Sequence, residues 1–158
     1  MAEEGSEKEP RVDDLDKRII EILRSDGRAS FRSIASKVGL SSVAVRERIN
    51  KLLKENVIRG FFAHVDASKI GKGTSAIFDV IAEPSMIEKV GAEIAKFDEV
   101  VRVYERMSGS ELHVHALFRN QKEMEDFIKD KLYKIPGIVN VKASLVLRRY
   151  KADPSLSI

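Results

Sequence analysis

Between Phe31 and Asn56 the chain reads FRSIASKVGLSSVAVRERINKLLKEN, two apolar stripes at helical spacing with one glycine between them. Ile34, Ala35 and Val38 fall on one face of the first segment, and Val45, Ile49 and Leu52 on one face of the second. Gly39 stands where a helix ends in a left-handed residue, a conformation glycine reaches without steric cost. Ser41 or Ser42 then offers a side-chain oxygen to the first free amides of the second helix. That second helix carries Arg46, Arg48, Lys51 and Lys54 against Glu47 and Glu55. Two helices, a tight turn and a basic second helix form a helix-turn-helix signature, in which the second helix enters the major groove of double-stranded DNA. The alternative at this point is a plain helical hairpin with a solvated charged face.

The placement of charge favours the first reading. The 158 residues carry a net charge of only +3. Within residues 13–60, eleven basic groups face seven acidic ones, whereas residues 1–12 hold two basic and four acidic groups. The positive excess therefore sits on the segment that would meet phosphates. A composition 43% hydrophobic and 34% charged suits a soluble chain with a core of its own. No apolar run reaches the length of a membrane span. With no cysteine there are no disulfides or thiolate metal sites, which fits a cytoplasmic protein.

Residues 1–12 read as a polar, disordered tail. A helix is expected from Asp13 or Asp14, with Leu15, Ile19, Ile22 and Leu23 buried and Ser25-Asp26-Gly27 as its stop. Ser30 is placed to cap the next helix, so three short helices share one small apolar centre. Val57–Val65 is rich in β-branched and aromatic residues and predicts a strand, the beginning of a wing. Arg59 and Lys69 nearby either reach phosphates or are simply solvated. The head is thus assigned to residues 13–66, a glycine-bearing linker to 67–73 and a second domain to 74–152.

The second domain alternates cleanly. Thr74–Ala82 predicts a strand, and Ser85 with Glu88 forms a capping box before a helix bearing Ile87, Val90, Ile94 and Phe97. Val100–Met107 and Leu112–Phe118 predict two strands joined by the hairpin Ser108-Gly109-Ser110-Glu111. Asn120 opens a helix with Glu123 as reciprocal cap and Met124, Phe127, Ile128 and Leu132 inward. Pro136-Gly137 leads into a last strand, Ile138–Leu147. The order is β-α-β-β-α-β, a ferredoxin-like split unit whose helices cover one sheet face and leave the other for a partner. The fold class is α+β: a winged helix-turn-helix head and a ferredoxin-like body.

Several stretches carry a family resemblance: LDKRIIEIL at Leu15–Leu23, RSIASKVGLS at Arg32–Ser41, VRERINKL ending at Leu52, VIRGF at Val57–Phe61, SGSELHV from Ser108, and IPGIVNV at Ile135–Val141. In this order and spacing the chain resembles the Lrp/AsnC, or feast/famine, transcription regulators, over about Asp13 to Tyr150. The resemblance implies a DNA-binding regulator that forms a dimer or higher homo-oligomer through a RAM-type body. It also implies a possible amino-acid effector held between bodies. Family members that bind amino acids usually carry an acidic residue just after the glycine turn. Here Gly109, Ser110 and Glu111 are the corresponding candidates, with Glu111 about one residue out of register.

On the second helix, Ser42, Val43, Arg46, Glu47 and Asn50 lie opposite the buried stripe. Arg46 suits guanine, Asn50 adenine, and Val43 a thymine methyl. Ser41, Arg48 and Lys51 complete the candidate DNA-binding set, Arg48 and Lys51 lying on flanks that suit either phosphate contact or bracing of the head. Arg32 at the start of the preceding helix is a further phosphate candidate. His113 and His115, two apart on a strand, share a face as two metal ligands would, but the chain offers no third ligand at recognisable spacing. No cofactor and no metal site are therefore assigned, and no catalytic constellation is present. Two other readings fit the same architecture: a sirohaem-decarboxylase-like enzyme, which the retained Ser41, Arg46, Arg48 and Lys51 disfavour, and an architectural protein that compacts DNA.

Overall fold

A computed structural model describes residues 12–107 and 109–151. The expected tail, but for Val12, and Ser108 of the hairpin lie outside the described residues. The chain divides into two compact units, with the change from one to the other after His64.

The first unit is built from α1 (Asp14–Ser25), α2 (Phe31–Val38) and α3 (Ser42–Lys54). Its centre is Ile19, Ile34, Ala35, Val38, Val45 and Ile49, flanked by Leu15, Ile22, Leu23 and Leu53. The local signals that start and stop each helix operate as their chemistry requires. Asp13 caps α1 in a reciprocal box with Asp16, Ser30 caps α2 and Ser41, rather than Ser42, caps α3. Gly39 ends α2 at φ 76°, and its amide donates to the Ala35 carbonyl.

The expected strand at Val57–Val65 is absent: this stretch is irregular and carries no β-ladder. Propensity alone does not make a strand, which needs a neighbouring row of backbone donors and acceptors. The head therefore has no wing strand. Phe61, Phe62 and Val65 on this segment are exposed. Next comes a single 3-10 turn at Ala67–Ile70, capped by Asp66 and closed by Gly71.

The second unit is an antiparallel four-stranded sheet in the order β2-β3-β1-β4, built from β1 (Thr74–Ala82), β2 (Val100–Arg106), β3 (Glu111–Phe118) and β4 (Ile138–Leu145). Two helices, α4 (Ile87–Ile94) and α5 (Gln121–Asp130), complete the β-α-β-β-α-β order. Burial alternates along the two central strands. Ala76, Phe78, Val80 and Ala82 of β1 and Leu112, Val114, Ala116 and Phe118 of β3 turn toward the helices. Ile87, Val90, Ile94, Met124, Phe127 and Leu132 meet them there, with the rings of Phe78, Phe118 and Phe127 in mutual contact. Among the described residues no helix of this unit covers the opposite sheet face, so half of each central strand stays partly exposed.

Two expected caps resolve differently. Pro84 opens a 3-10 turn at Pro84–Met86, and α4 continues from it without a side-chain cap, so the Ser85–Glu88 box does not form. Proline's preset φ starts the turn one residue before the serine. Asn120 does cap α5, but Glu123 reaches back to the amide and guanidinium of Arg119 instead of the Asn120 amide. Among the described residues no helix is long and apolar enough to cross a membrane.

Candidate functional site

The outer face of α3 follows from what its inner face buries. With Val45, Ile49 and Leu52 enclosed, Ser42, Val43, Arg46, Glu47, Asn50 and Lys51 are exposed, Val43 at 57%. Arg32 is exposed in the first turn of α2. Arg46 makes no ion pair among the described residues, so its guanidinium is available to a ligand. The Ser41 hydroxyl instead accepts from the Ala44 amide at 3.1 Å and so fixes the start of α3.

Arg48 stands apart from the other candidates. Its Nη1 donates to Asp13 Oδ2 and to Asp16 Oδ1, both at 2.7 Å. Of the two roles open to it, phosphate contact or bracing, its geometry is that of the brace: it ties the middle of α3 to the N-terminus of α1. Asp16 is fully buried, and a buried carboxylate without a partner would be strongly unfavourable. The Asp13 carboxyl is held below its usual range, first by the Asp16 amide and then by the Arg48 guanidinium. A second tie runs from Arg18 Nη2 to the Lys37 carbonyl at 2.9 Å, linking α1 to the end of α2. The sequence offered a signal for the brace in Asp13-x-x-Asp16, which reads locally as a cap; only the fold places Arg48 against it.

The candidate effector residues lie at the tip and base of the β2–β3 hairpin. Gly109 has φ 123°, where a side chain would be strained, and the Glu111 amide donates to the Gly109 carbonyl at 2.8 Å. That amide is turned into the hairpin. The Ser110 carbonyl accepts from the Ala82 amide, anchoring the turn to the end of β1. Glu111 opposes Arg106 and Ile81 across the sheet, and its carboxylate lies 3.3 Å from Arg106 Nη1. The side chain thus belongs to the face that the helices leave open.

That face carries a connected polar cluster which single strands in sequence do not reveal. His113 pairs with Asp79 on β1 and Tyr104 on β2, and His115 with Ile77 and Arg102. His113 Nδ1 is 2.7 Å from Asp79 Oδ1, and Arg106 Nη2 approaches the same Nδ1 at 2.7 Å and Asp79 Oδ1 at 3.3 Å. His113 Nδ1 either donates to Asp79 or accepts from Arg106, not both; where it donates to Asp79, Arg106 is left to the carboxylates of Asp79 and Glu111. The Asp79 carboxyl is held below its usual range, chiefly by the His113 hydrogen bond and then by Arg106. Burial, followed by the charges of His113, Arg102 and Arg149, pushes the His115 imidazole down. Asp79 and Arg106 escaped the sequence reading; the one available signal was a carboxylate inside the apolar run of β1.

Comparison with known proteins agrees with both halves of this description. Residues 12–53 match the AsnC-type helix-turn-helix domain, and residues 75–156 match the Lrp/AsnC ligand binding domain. The chain is similar to the HTH-type transcriptional regulator FL11 of Pyrococcus horikoshii, with 33% identity over 147 residues covering 93% of this chain and 97% of that one. Among solved structures it resembles the transcriptional regulator NMB0573 of Neisseria meningitidis in its L-Met complex, at TM-score 0.85 and 22% identity over 93% of this chain and 97% of that one. It also resembles the feast or famine regulatory protein of M. tuberculosis complexed with L-methionine, at TM-score 0.82 and 23% identity over 91% and 97% of the two chains.

Proposed function

The chain belongs to the Lrp/AsnC family of transcriptional regulators, and from that premise we propose that it reads double-stranded DNA sequence-specifically, as a homo-oligomer. The observation that carries this reading is the division of labour on α3. Arg48 is held by Asp13 and Asp16, while Arg46 and Asn50 on the outer face stand clear of the buried stripe. A braced helix presenting an uncommitted guanidinium and an amide is what bidentate base recognition needs. Arg32 and Lys51 supply backbone contacts beside it, and Ser42 and Val43 meet the groove at the start of the helix.

One such head has a small footprint, so useful affinity calls for two. We assign the second copy to the open sheet face, where Ile77, Ile81 and Leu117 sit among the polar cluster. Operators then contain half-sites about one helical turn, roughly 10 bp, apart or a multiple of it. Selecting bound genomic fragments and footprinting them tests this. A continuous, sequence-indifferent footprint would replace regulation by compaction, and a monomer that still binds tightly at micromolar concentration would remove the oligomer. The relatives are named as transcriptional regulators, and the reading is accordingly non-enzymatic.

The body fits an amino-acid effector bound near Gly109, Ser110 and Glu111, as the methionine complexes of the structural relatives suggest. Glu111 would have to loosen its 3.3 Å contact with Arg106 to receive an ammonium group. That exchange is inexpensive, because a partly exposed pair of this kind is worth about 1 kcal/mol or less.

A further inference from the structure

Glu47 is the one acidic residue of α3, and it is exposed. At about 100° per residue it lies roughly 170° from the centre of the Val45, Ile49 and Leu52 stripe, against about 150° for Val43, 130° for Asn50 and 90° for Arg46. Lys54 is equally outward but belongs to the last turn, whereas the N-terminal part of a recognition helix meets the base edges. The side chain best aimed at the floor of the groove is therefore a carboxylate, on a helix whose other charges are all basic.

The head itself gives this carboxylate no task. Among the described residues Glu47 makes no hydrogen bond or ion pair through its side chain. Its neighbour Arg48 is turned to Asp13 and Asp16, and the cap of α3 is the Ser41 hydroxyl. Against DNA a free carboxylate is unfavourable, because the phosphates repel it. That repulsion is offset where the carboxylate accepts from an amino group, and in the major groove these are cytosine N4 and adenine N6. On adenine the amino group stands beside the N7 lone pair, which repels a carboxylate and suits an amide such as Asn50. On cytosine its neighbour is a C–H. Guanine and thymine present only acceptors there, so either would leave the carboxylate desolvated and unpaired.

We infer that Glu47 is the residue by which this head selects cytosine: its carboxylate accepts a hydrogen bond from the N4 amino group of one cytosine in each half-site. The inference rests on the DNA-reading assignment of α3 above and adds a base to it. Specificity at this position comes from rejection as much as attraction, since the same charge that accepts from cytosine weakens binding wherever no amino group meets it. Arg46 and Asn50 add affinity for their own bases. Glu47 lowers the affinity for every other sequence.

The test selects duplexes from a random pool with the full chain at fixed salt, then varies the selected half-sites one base pair at a time. For the parent, replacing one particular cytosine·guanine pair should weaken binding about 5- to 150-fold. Glu47→Ala should lose that discrimination while the other positions keep theirs. Glu47→Gln should shift the preference there to adenine, whose edge matches an amide. Both variants should bind unselected DNA more tightly than the parent, because a negative charge has left the phosphate-facing surface. Circular dichroism melts confirm that each variant is folded. Base preferences unchanged in both variants, or changed only at an A·T pair, overturn the assignment and leave Glu47 as a helix-surface neighbour of Lys51 one turn on. A parent that prefers no base at any position overturns the sequence-specific reading itself, and the role of Glu47 with it.

Discussion

Replacing Arg48 by alanine separates bracing from DNA contact at the residue where the two were hardest to tell apart. The substitution removes the cation from Asp16, whose side chain is 1% exposed, and from Asp13, whose side chain is 53% exposed. Stripping one partner from a fully buried pair costs about 3–5 kcal/mol. Here Arg48 is itself 29% exposed, so water enters part of the space it vacates. Asp16 also keeps the Asp13 amide at 3.2 Å, and the exposed Asp13 contributes little. A loss of about 2–3 kcal/mol from the head follows. For a three-helix unit this small, that is a large share of its total stability. The three tyrosines lie at 104, 133 and 150, so tyrosine emission is blind to the head. Hydrogen exchange of α1–α3 is the appropriate assay, and protection there should fall roughly 30- to 150-fold while that of the sheet is unchanged. Adding Asp16→Asn to Arg48→Ala should restore part of the loss, because the uncompensated charge is gone. Protection within about twofold of the parent, together with weaker DNA binding, would make Arg48 a phosphate ligand and refute the brace.

Arg46→Ala should weaken operator binding by about 1–3 kcal/mol and blur preference at one base step, whereas Lys51→Ala should weaken all sequences alike; competition titrations at fixed salt distinguish them. Thermal shift with each of the twenty amino acids should reveal a ligand that raises the melting point of the parent and raises it less in Glu111→Ala. Asp13 titrates lower in the folded head than its ordinary value near 3.8, so its contribution is fully present above that value and is lost as pH falls through the folded value. Urea midpoints of the parent and Asp13→Asn, which keeps the cap but not the charge, should therefore converge below about pH 4.

Features set by neighbours in the chain were legible in the sequence. The stripes of α1, α2 and α3, the caps Ser30 and Asn120, the left-handed Gly39 and the alternation of β1 and β3 all depend on residues within about four positions. Helical and strand periods report them directly. The same locality made the β-α-β-β-α-β order readable and, with it, the existence of an open sheet face.

What the tertiary structure alone decided depends on partners distant in sequence. Arg48 meets Asp13 across 35 residues and His113 meets Asp79 across 34, separations that no local pattern encodes. Val57–Val65 has the composition of a strand, yet among the described residues no neighbouring strand supplies its hydrogen bonds, so propensity did not become structure. At Ser85 a local rule lost to another local rule, the proline beside it. The two imidazoles of His113 and His115 share a face by strand period alone, but only the fold brings Asp79 and Arg106 against His113 Nδ1. Sequence therefore determined which faces exist, because a face needs only periodicity. Their charge partners were decided by folding, because pairing needs two strands or helices brought together.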